Sequence, residues 1–471
     1  MTVRHLLPAL AVAATLSAQS GPADPDWKAV EPEALAHFQA VVRFDSTAKE
    51  RPLAEYIKKT LDEAGVPAQI LFSDPDRPNV VARIKGNGKK RPLLIMGHTD
   101  TVTVDLAKWH FPPFSATLDG GYVYGRGTID DKDNLTAGLM TMILLKRLNV
   151  PLDRDVIFLA EAGEEGNSRI GAGYMVTEHF ADLDSEFCLA EGGDIVRENG
   201  AAKYAEVETV EKFPNGIELV AKGISGHGSI PLKSNAIAHL GAAVGRIGEW
   251  RPDIKLNETT ATYFRKLATL APPDQAKHYR DVISPDPKVA RAADDWLFEN
   301  EPRHSSMLRT SVSPSIIQGG YRSNVIPSEA KATLDVRMVP DENRDAFLEQ
   351  VKKVVNDPAI EVRYTGNGQT GGERIIPPVA KLDSEIFRTV EASVTKIYDI
   401  PTLPSMSTGA TDMQRLRAKG VQCVGIGAAI DVEDQAKGFG MHSDQERLLA
   451  SELYRFVRFN WDIVTALARA R

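Results

Sequence analysis

The stretch RPLLIMGHTD (residues 91–100) is an apolar run that stops abruptly at an imidazole and a carboxylate, His98 and Asp100. Two later runs behave alike: DVIFLAEAGEE (155–165) ends in Glu164 and Glu165, and SEFCLAEGG (185–193) carries Glu191. Short continuous apolar runs read as strands buried on both faces, as in a mostly parallel sheet covered by helices. The carboxyl ends of such strands face the crevice where ligands bind, so residues distant in sequence converge there. Between the first two runs, YGRGTIDDKDN (124–134) is a glycine-rich turn that delivers two adjacent carboxylates, Asp130 and Asp131, just before a helical stretch.

Outward from this centre the chain alternates. PLAEYIKKTLDEAG (52–65) ends in glycine as a helix does, NVVARIKG (79–86) reads as a strand, and NLTAGLMTMILLKRL (134–148) has helical periodicity. This is the βαβ rhythm of an α/β domain. Near Phe213 the character changes: GIELVAKG, NAIAHLGAAVGRIGEW, SPSIIQGG with EAKATLDVRMV, DAFLEQVKKVVN and AIEVRYTG follow in the order β-α-β-β-α-β, the ferredoxin-like split unit. About residues 251–311 interrupt that unit with LAPPDQ, SPDP and a helical stretch, KVARAADDWLFE. A structureless insertion of that length would be unusual, so it reads as an elaboration of the smaller domain, a cover over the site. From about 366 the α/β rhythm returns with SEIFRTVEASVTKIYD, VQCVGIGAA and an amphipathic final helix. The expected organisation is a catalytic α/β domain over 21–212 and 366–471, with an α+β lid or dimerisation domain over 213–365 inserted in it.

Bulk properties exclude several classes. At 471 residues the chain exceeds one domain of ~100–200 residues. Its 42% apolar and 25% charged composition is that of a globular protein. A net charge of −8 without a basic run argues against a nucleic-acid binder. Residues 1–20 combine Arg4 and His5, the apolar LLPALAVAATL and the small, polar SAQS, so a signal peptide and a secreted or periplasmic protein are expected. That apolar stretch is too short to span a bilayer, and no later run reaches ~18 apolar residues. Cys188 and Cys423 each sit in a strand-like run and read as buried free thiols, a single bridge being the alternative in an oxidising compartment.

The residue types at the strand ends suit a divalent metal, since zinc takes imidazole and carboxylate ligands and keeps positions open in catalytic sites. Structural zinc on cysteine is excluded, because neither cysteine has a C-x₂-C partner. His5, His37, His179, His239 and His278 read as ordinary core or surface residues. His98 differs: Asp100, two residues on in extended chain, shares its face and can hold the second ring nitrogen. Adjacent side chains diverge, so Glu164 and Glu165 can divide roles, Glu165 as ligand and Glu164 as general base.

These residues resemble the di-zinc exopeptidases and deacylases that include carboxypeptidase G, carboxypeptidase S, acetylornithine deacetylase, succinyl-diaminopimelate desuccinylase and carnosine dipeptidase. GHTDTV, Trp109 with FPPF, GRGTIDDKDN, GEEG, AEGGD, SGHGSIP, SNVIP, DVR, STGATD and MHSDQER occur in that family's order across nearly the whole mature chain, and GRGTIDDK with the long insertion looks nearest to the carboxypeptidase S-like branch. The resemblance implies two divalent metals, zinc expected, with Asp130 bridging them, His98 and Glu191 completing one site, and Glu165 and His442 the other. It implies that Asp100 orients His98, that Glu164 moves a proton from the activated water to the leaving nitrogen, and that the peptide after Asp130 is cis.

On the substrate side the resemblance makes His227 an oxyanion donor, often across a dimer formed by the lid domains. His110 reads as structural. Arg337 becomes a clamp for a substrate carboxylate, suited to guanidinium's paired donors, with Asn324 beside it, and Thr408, Gly409 and Thr411 a substrate-binding loop. The expected activity is hydrolysis of a peptide bond next to a free carboxylate. An N-acyl-amino-acid deacylase is the rival within enzymes, and a catalytically silent binding protein on the same scaffold the rival from another class.

Overall fold

The computed structural model describes residues 24–365 and 379–470. The expected signal peptide (1–20) and the return to the α/β rhythm at 366 lie outside the described residues. A ten-stranded sheet forms the larger part, in the order 68–71, 79–84, 156–161, 93–98, 187–190, 422–425, 201–211, 194–198 and 429–431, with 402–407 pairing beside 201–211. Its centre is parallel: Leu93–His98 runs with Val156–Glu161 on one side and with Phe187–Ala190 on the other, and Phe187–Ala190 runs with Gln422–Gly425. Antiparallel pairs flank this centre.

The unbroken apolar runs are explained by burial on two faces. Leu93, Ile95, Val156 and Phe158 point into one core, covered by the helices Trp27–Val42, Lys132–Arg147, Glu385–Tyr398 and Ala450–Ala468. Leu94, Met96, Ile157 and Leu159 point into the other, against Met175, Met413 and Leu416. Alternate residues of one strand therefore serve different layers, and neither face needs polar positions. Cys188 and Cys423 are buried free thiols on that second face, in register on neighbouring strands.

A second, antiparallel sheet takes its strands from residues 213–364: Ile360–Tyr364, Ile217–Lys222, Glu329–Met338 and Ser311–Gly319 lie side by side. The helices Ala236–Glu249 and Arg344–Val355 cover one face through Leu240, Ile247, Phe347 and Val351. Ser311–Gly319 is the outer strand and is exposed over most of its length.

The insertion holds four helices, Glu258–Leu267, Pro273–Asp281, Pro287–Asn300 and Pro302–Met307. Prolines begin three of them, because the first turn of a helix has no use for the missing N–H. The layer lies against the large sheet: Tyr263, Phe264, Leu297 and Met307 share a core with Val210, Leu403 and Met406. The elaboration thus packs on strands 201–211 and 402–407 of the larger part, and it also meets the smaller part through Val339 and through Lys255, which donates to the Asp341 carbonyl.

Candidate metal centre

The three runs deliver their terminal side chains to one place. His98 closes its strand, and Gly97 before it is sterically required: a Cβ there would lie 2.9 Å from Asp131 Oδ2 and 3.1 Å from Leu135 N. The helix that starts at Lys132 can therefore approach the strand closely enough to place the acids of its preceding turn beside His98. The peptide between Asp130 and Asp131 is cis. Asp131 turns away from the site, accepting from His98 N (3.1 Å) and from the Asn134 amide (2.7 Å).

Asp130 faces the site with both oxygens. Oδ1 lies 2.8 Å from His98 Nε2, and Oδ2 lies 2.9 Å from His442 Nε2. His442 is also 2.8 Å from Glu165 Oε1, and Glu191 Oε2 is 3.8 Å from His98 Nε2. Among the described residues two groups have the geometry to hold a metal ion, His98 with Glu164 and Glu191, and His98 with Asp130 and Glu165, the potential ligand atoms of each within 4.8 Å of one another. The five expected ligands and Glu164 thus meet.

Asp100 reaches His98 both through its backbone and through its carboxylate. His98 Nδ1 meets the backbone carbonyl of Asp100 at 3.0 Å, and the Asp100 carboxylate lies at 3.5 Å. That carboxylate also accepts from Glu164 N (3.0 Å) and Glu165 N (3.1 Å), and it pairs with Arg77 at 3.2 Å. Asp100 therefore positions both glutamates through their backbone as well as the histidine. Arg77 also pairs with the buried Glu50.

The electrostatics call for cations. Burial, reinforced by Asp412, Asp130 and Glu165, pushes the Glu164 carboxyl up to about 8. Burial and Glu164 push Glu191 well above the carboxylate range. Burial opposes protonation of His98, yet its hydrogen bonds to Asp100 and Asp130 lift it well above its ordinary value. Hydrogen bonds to Asp130 and Glu165 raise His442 to about 10. Asp130 is held low, against its burial, by the two imidazoles. Four carboxylates, Asp130, Glu164, Glu165 and Glu191, crowd around two imidazoles, and two divalent cations would balance their charge. Buried charges of one sign persist only when paired or metal-bound, so the donor set fits a two-metal group.

The substrate-side residues are not joined to this cluster. His227 is exposed, on a short strand paired with Val325–Ile326, and its Nδ1 meets Ser229 Oγ at 2.7 Å. Asn324 is also exposed and gives its backbone carbonyl to Gly228 N. Arg337, half-buried, is held by Asp335 at 2.9 Å. Among the described residues no hydrogen bond or ion pair connects these three to the cluster. Thr408 and Gly409 are half-buried after strand 402–407, whereas Thr411 is turned inward, its Oγ1 accepting from Met413 N and its own N–H bound by Glu211.

Several supporting residues escaped the sequence reading. Glu446 gathers the turn before Asp130, accepting from Arg126 (2.7 Å), Gly127 N (3.0 Å), Ile129 N (2.8 Å) and Asp130 N (3.3 Å). Glu161 and Asp412 are buried beside each other near Glu164. Glu446 and Arg126 stand in MHSDQER and GRGTIDDKDN, and Glu161 precedes Glu164 and Glu165 in their run. Arg77, in a loop without periodicity, gave no signal.

Residues 94–464 match the sequence pattern of Peptidase family M20/M25/M40. The chain is 30% identical over 341 residues to a probable carboxypeptidase S-like 2 of Dictyostelium discoideum, covering 68% of this chain and 62% of that protein. It is 30% identical over 277 residues to the human N-fatty-acyl-amino acid synthase/hydrolase PM20D1, covering 58% and 54%. The match thus spans less than two thirds of either relative's length. The fold is shared with an M20 family metallo-carboxypeptidase from Sulfolobus solfataricus, with a TM-score of 0.68, 20% identity and coverage of 92% of this chain and 98% of that one.

Proposed function

Because the chain belongs to Peptidase family M20/M25/M40, a metal-dependent hydrolase family, we propose that it cleaves a peptide bond next to a free carboxylate, as a carboxypeptidase or dipeptidase, with two zinc ions. The observation that carries this reading is the double engagement of Asp130, one oxygen toward His98 and the other toward His442, as a shared ligand would stand. His98 and Glu191 would hold one ion, and Glu165 and His442 the other. When bound, such ions polarise a carbonyl and make water acidic enough to attack near neutral pH.

The chain's own residues do the rest. Glu164 takes the proton of the attacking water and returns it to the leaving nitrogen. Its raised proton affinity favours that transfer, and nearby cations bring the carboxyl back toward working pH. Asp100 fixes Glu164 by its backbone N–H, so base and ligands move as one unit. Arg337 is the clamp for the substrate carboxylate.

Glu164→Gln tests the assignment: two metals per chain retained with turnover reduced at least 10²-fold is expected, and unchanged turnover would reject Glu164 as the base. The name of the human relative supports a second reading, hydrolysis of N-acyl amino acids. A panel of dipeptides and N-acyl amino acids separates the two, rapid cleavage of acylated amino acids alone rejecting the peptidase.

The reading includes export, supported by the residue order of segment 1–20, and a homodimer through the outer strand Ser311–Gly319. That strand is an unpaired edge carrying the exposed Ile316 and Ile317, beside the exposed Ile237 and Tyr321. Light scattering checks the dimer: Ile317→Asp is expected to give monomer, and a monomeric native protein would remove this part of the reading.

A further inference from the structure

Beyond the metal centre, the Asp194 carboxylate has no hydrogen-bond or ion-pair partner among the described residues. Asp194 lies three residues past Glu191, at the start of the strand Asp194–Glu198, which pairs antiparallel with Ala201–Glu211. In that register Asp194 stands directly opposite Glu206, which puts both side chains on one face, and like charges so placed repel. Glu206 is settled by the helical insertion, with Oε1 accepting from Tyr263 (2.7 Å) and Oε2 pairing with Arg303 (2.6 Å). Asp194 itself is partly buried.

Its height in the sheet places it at the site. Glu208, two residues along from Glu206, aligns with Gly425, and Gly425 aligns with Ala190, the residue before Glu191. Asp194 and Glu206 therefore lie just beyond the strand ends, at the level of the cluster, and the charges of Glu206, Arg303 and Asp130 all reach Asp194. Room for the carboxylate is kept by Gly427, where a Cβ would meet Gly193 O at 2.1 Å and Asp194 Oδ1 at 3.2 Å. Arg303 pairs with Glu206 and acts on Asp194 only at longer range, so burial and Glu206 push the Asp194 carboxyl up to about 7, and a cation seated beside it would favour its ionised form.

We propose that Asp194 is a specificity-determining residue that receives the free α-ammonium group of an unblocked peptide, on the acyl side of the scissile bond. The proposal rests on the amide-hydrolase reading above. Arg337 belongs to the smaller sheet and Asp194 to the larger, so the two hold opposite ends of the substrate, carboxylate on one and ammonium on the other. An apolar N-acyl group would leave the Asp194 carboxylate desolvated and unpaired against Glu206, whereas an ammonium relieves both.

The test uses the metal-loaded enzyme and two compounds that differ only by that ammonium group: glycyl-leucine and N-acetyl-leucine. The native enzyme is expected to favour glycyl-leucine in kcat/KM by about 10- to 100-fold, the worth of a hydrogen bond to a charged group. Asp194→Asn should lose that preference, mainly through kcat/KM for glycyl-leucine, with N-acetyl-leucine little changed; Asp194→Glu should restore part of it. A native ratio at or below one, or a ratio unchanged in Asp194→Asn, would overturn the proposal while leaving the hydrolase reading intact. Cleavage of neither compound, nor of any other dipeptide or N-acyl amino acid, by enzyme carrying two metals per chain would overturn both.

Discussion

Glu446 offers the sharpest perturbation of the metal centre that replaces no ligand. Its buried carboxylate closes the turn before Asp130 with four acceptor contacts, and its partner Arg126 has a side chain only 3% exposed. In Glu446→Gln the oxygen can still serve Ile129 N and Asp130 N, but the amide nitrogen then faces Arg126 and Gly127 N, donor against donor. Two charge-assisted hydrogen bonds of ~1.5–3 kcal/mol each are lost. They overlap with the cost of stranding a buried guanidinium, so the sum is about 3–5 kcal/mol rather than their total. Urea unfolding of the metal-free protein should show that loss as a lower midpoint. Metal titration should show a 10- to 100-fold loss of affinity, roughly the effect of removing a group that orients ligands. Arg126→Met with Glu446→Gln should recover part of the stability, because no stranded charge remains. A midpoint and affinity equal to the native values, or a double variant no better than the sum of the singles, would refute the view that Glu446 fixes Asp130.

Other consequences follow from the packing and the charges. Gly138→Ala should destabilise by about 1–3 kcal/mol, as a Cβ there would lie 2.6 Å from the Phe158 ring, outweighing any gain in helix propensity. Gly241→Ala, on a helix with no atom within 4 Å of the new methyl, should stabilise by ~0.5–1 kcal/mol; thermal unfolding checks both signs. His239 is held above its ordinary value by its hydrogen bond to Asp357 at 2.6 Å, and Asp357 is held below its own. The pair's contribution is therefore present between the two shifted values, lost as pH rises through the histidine's and as it falls through the aspartate's. Proton NMR should place the His239 titration above 6.5, moving back toward 6.5 in Asp357→Asn.

Much of the scaffold was readable because its causes are local. The apolar runs at 93, 156 and 187 announce strands buried on two faces, and their abrupt polar ends mark the crevice. Five of the six central side chains stand where a pattern breaks, an imidazole at the end of a strand or acids where a core run or a glycine-rich turn stops, whereas His442 was indicated only by the family resemblance. What stayed hidden depends on tertiary placement. Glu446 acts through backbone N–H groups more than three hundred residues away, Asp100 meets His98 with its carbonyl at 3.0 Å as well as with its carboxylate, and Arg77 comes from a plain loop. How the insertion packs was equally hidden: its prolines turn out to begin helices, and its core joins Leu403 and Met406 of the larger part as well as Val339 next to the smaller sheet.

The central claim is that His98, Asp130, Glu165, Glu191 and His442 form one two-metal cage with Glu164 left free. Anomalous diffraction from crystals grown with zinc tests it most directly. The account predicts two peaks that share Asp130, one also bound by His98 and Glu191, the other by Glu165 and His442. A single peak, peaks away from Asp130, or Glu164 serving as a ligand in place of Glu165 would contradict it.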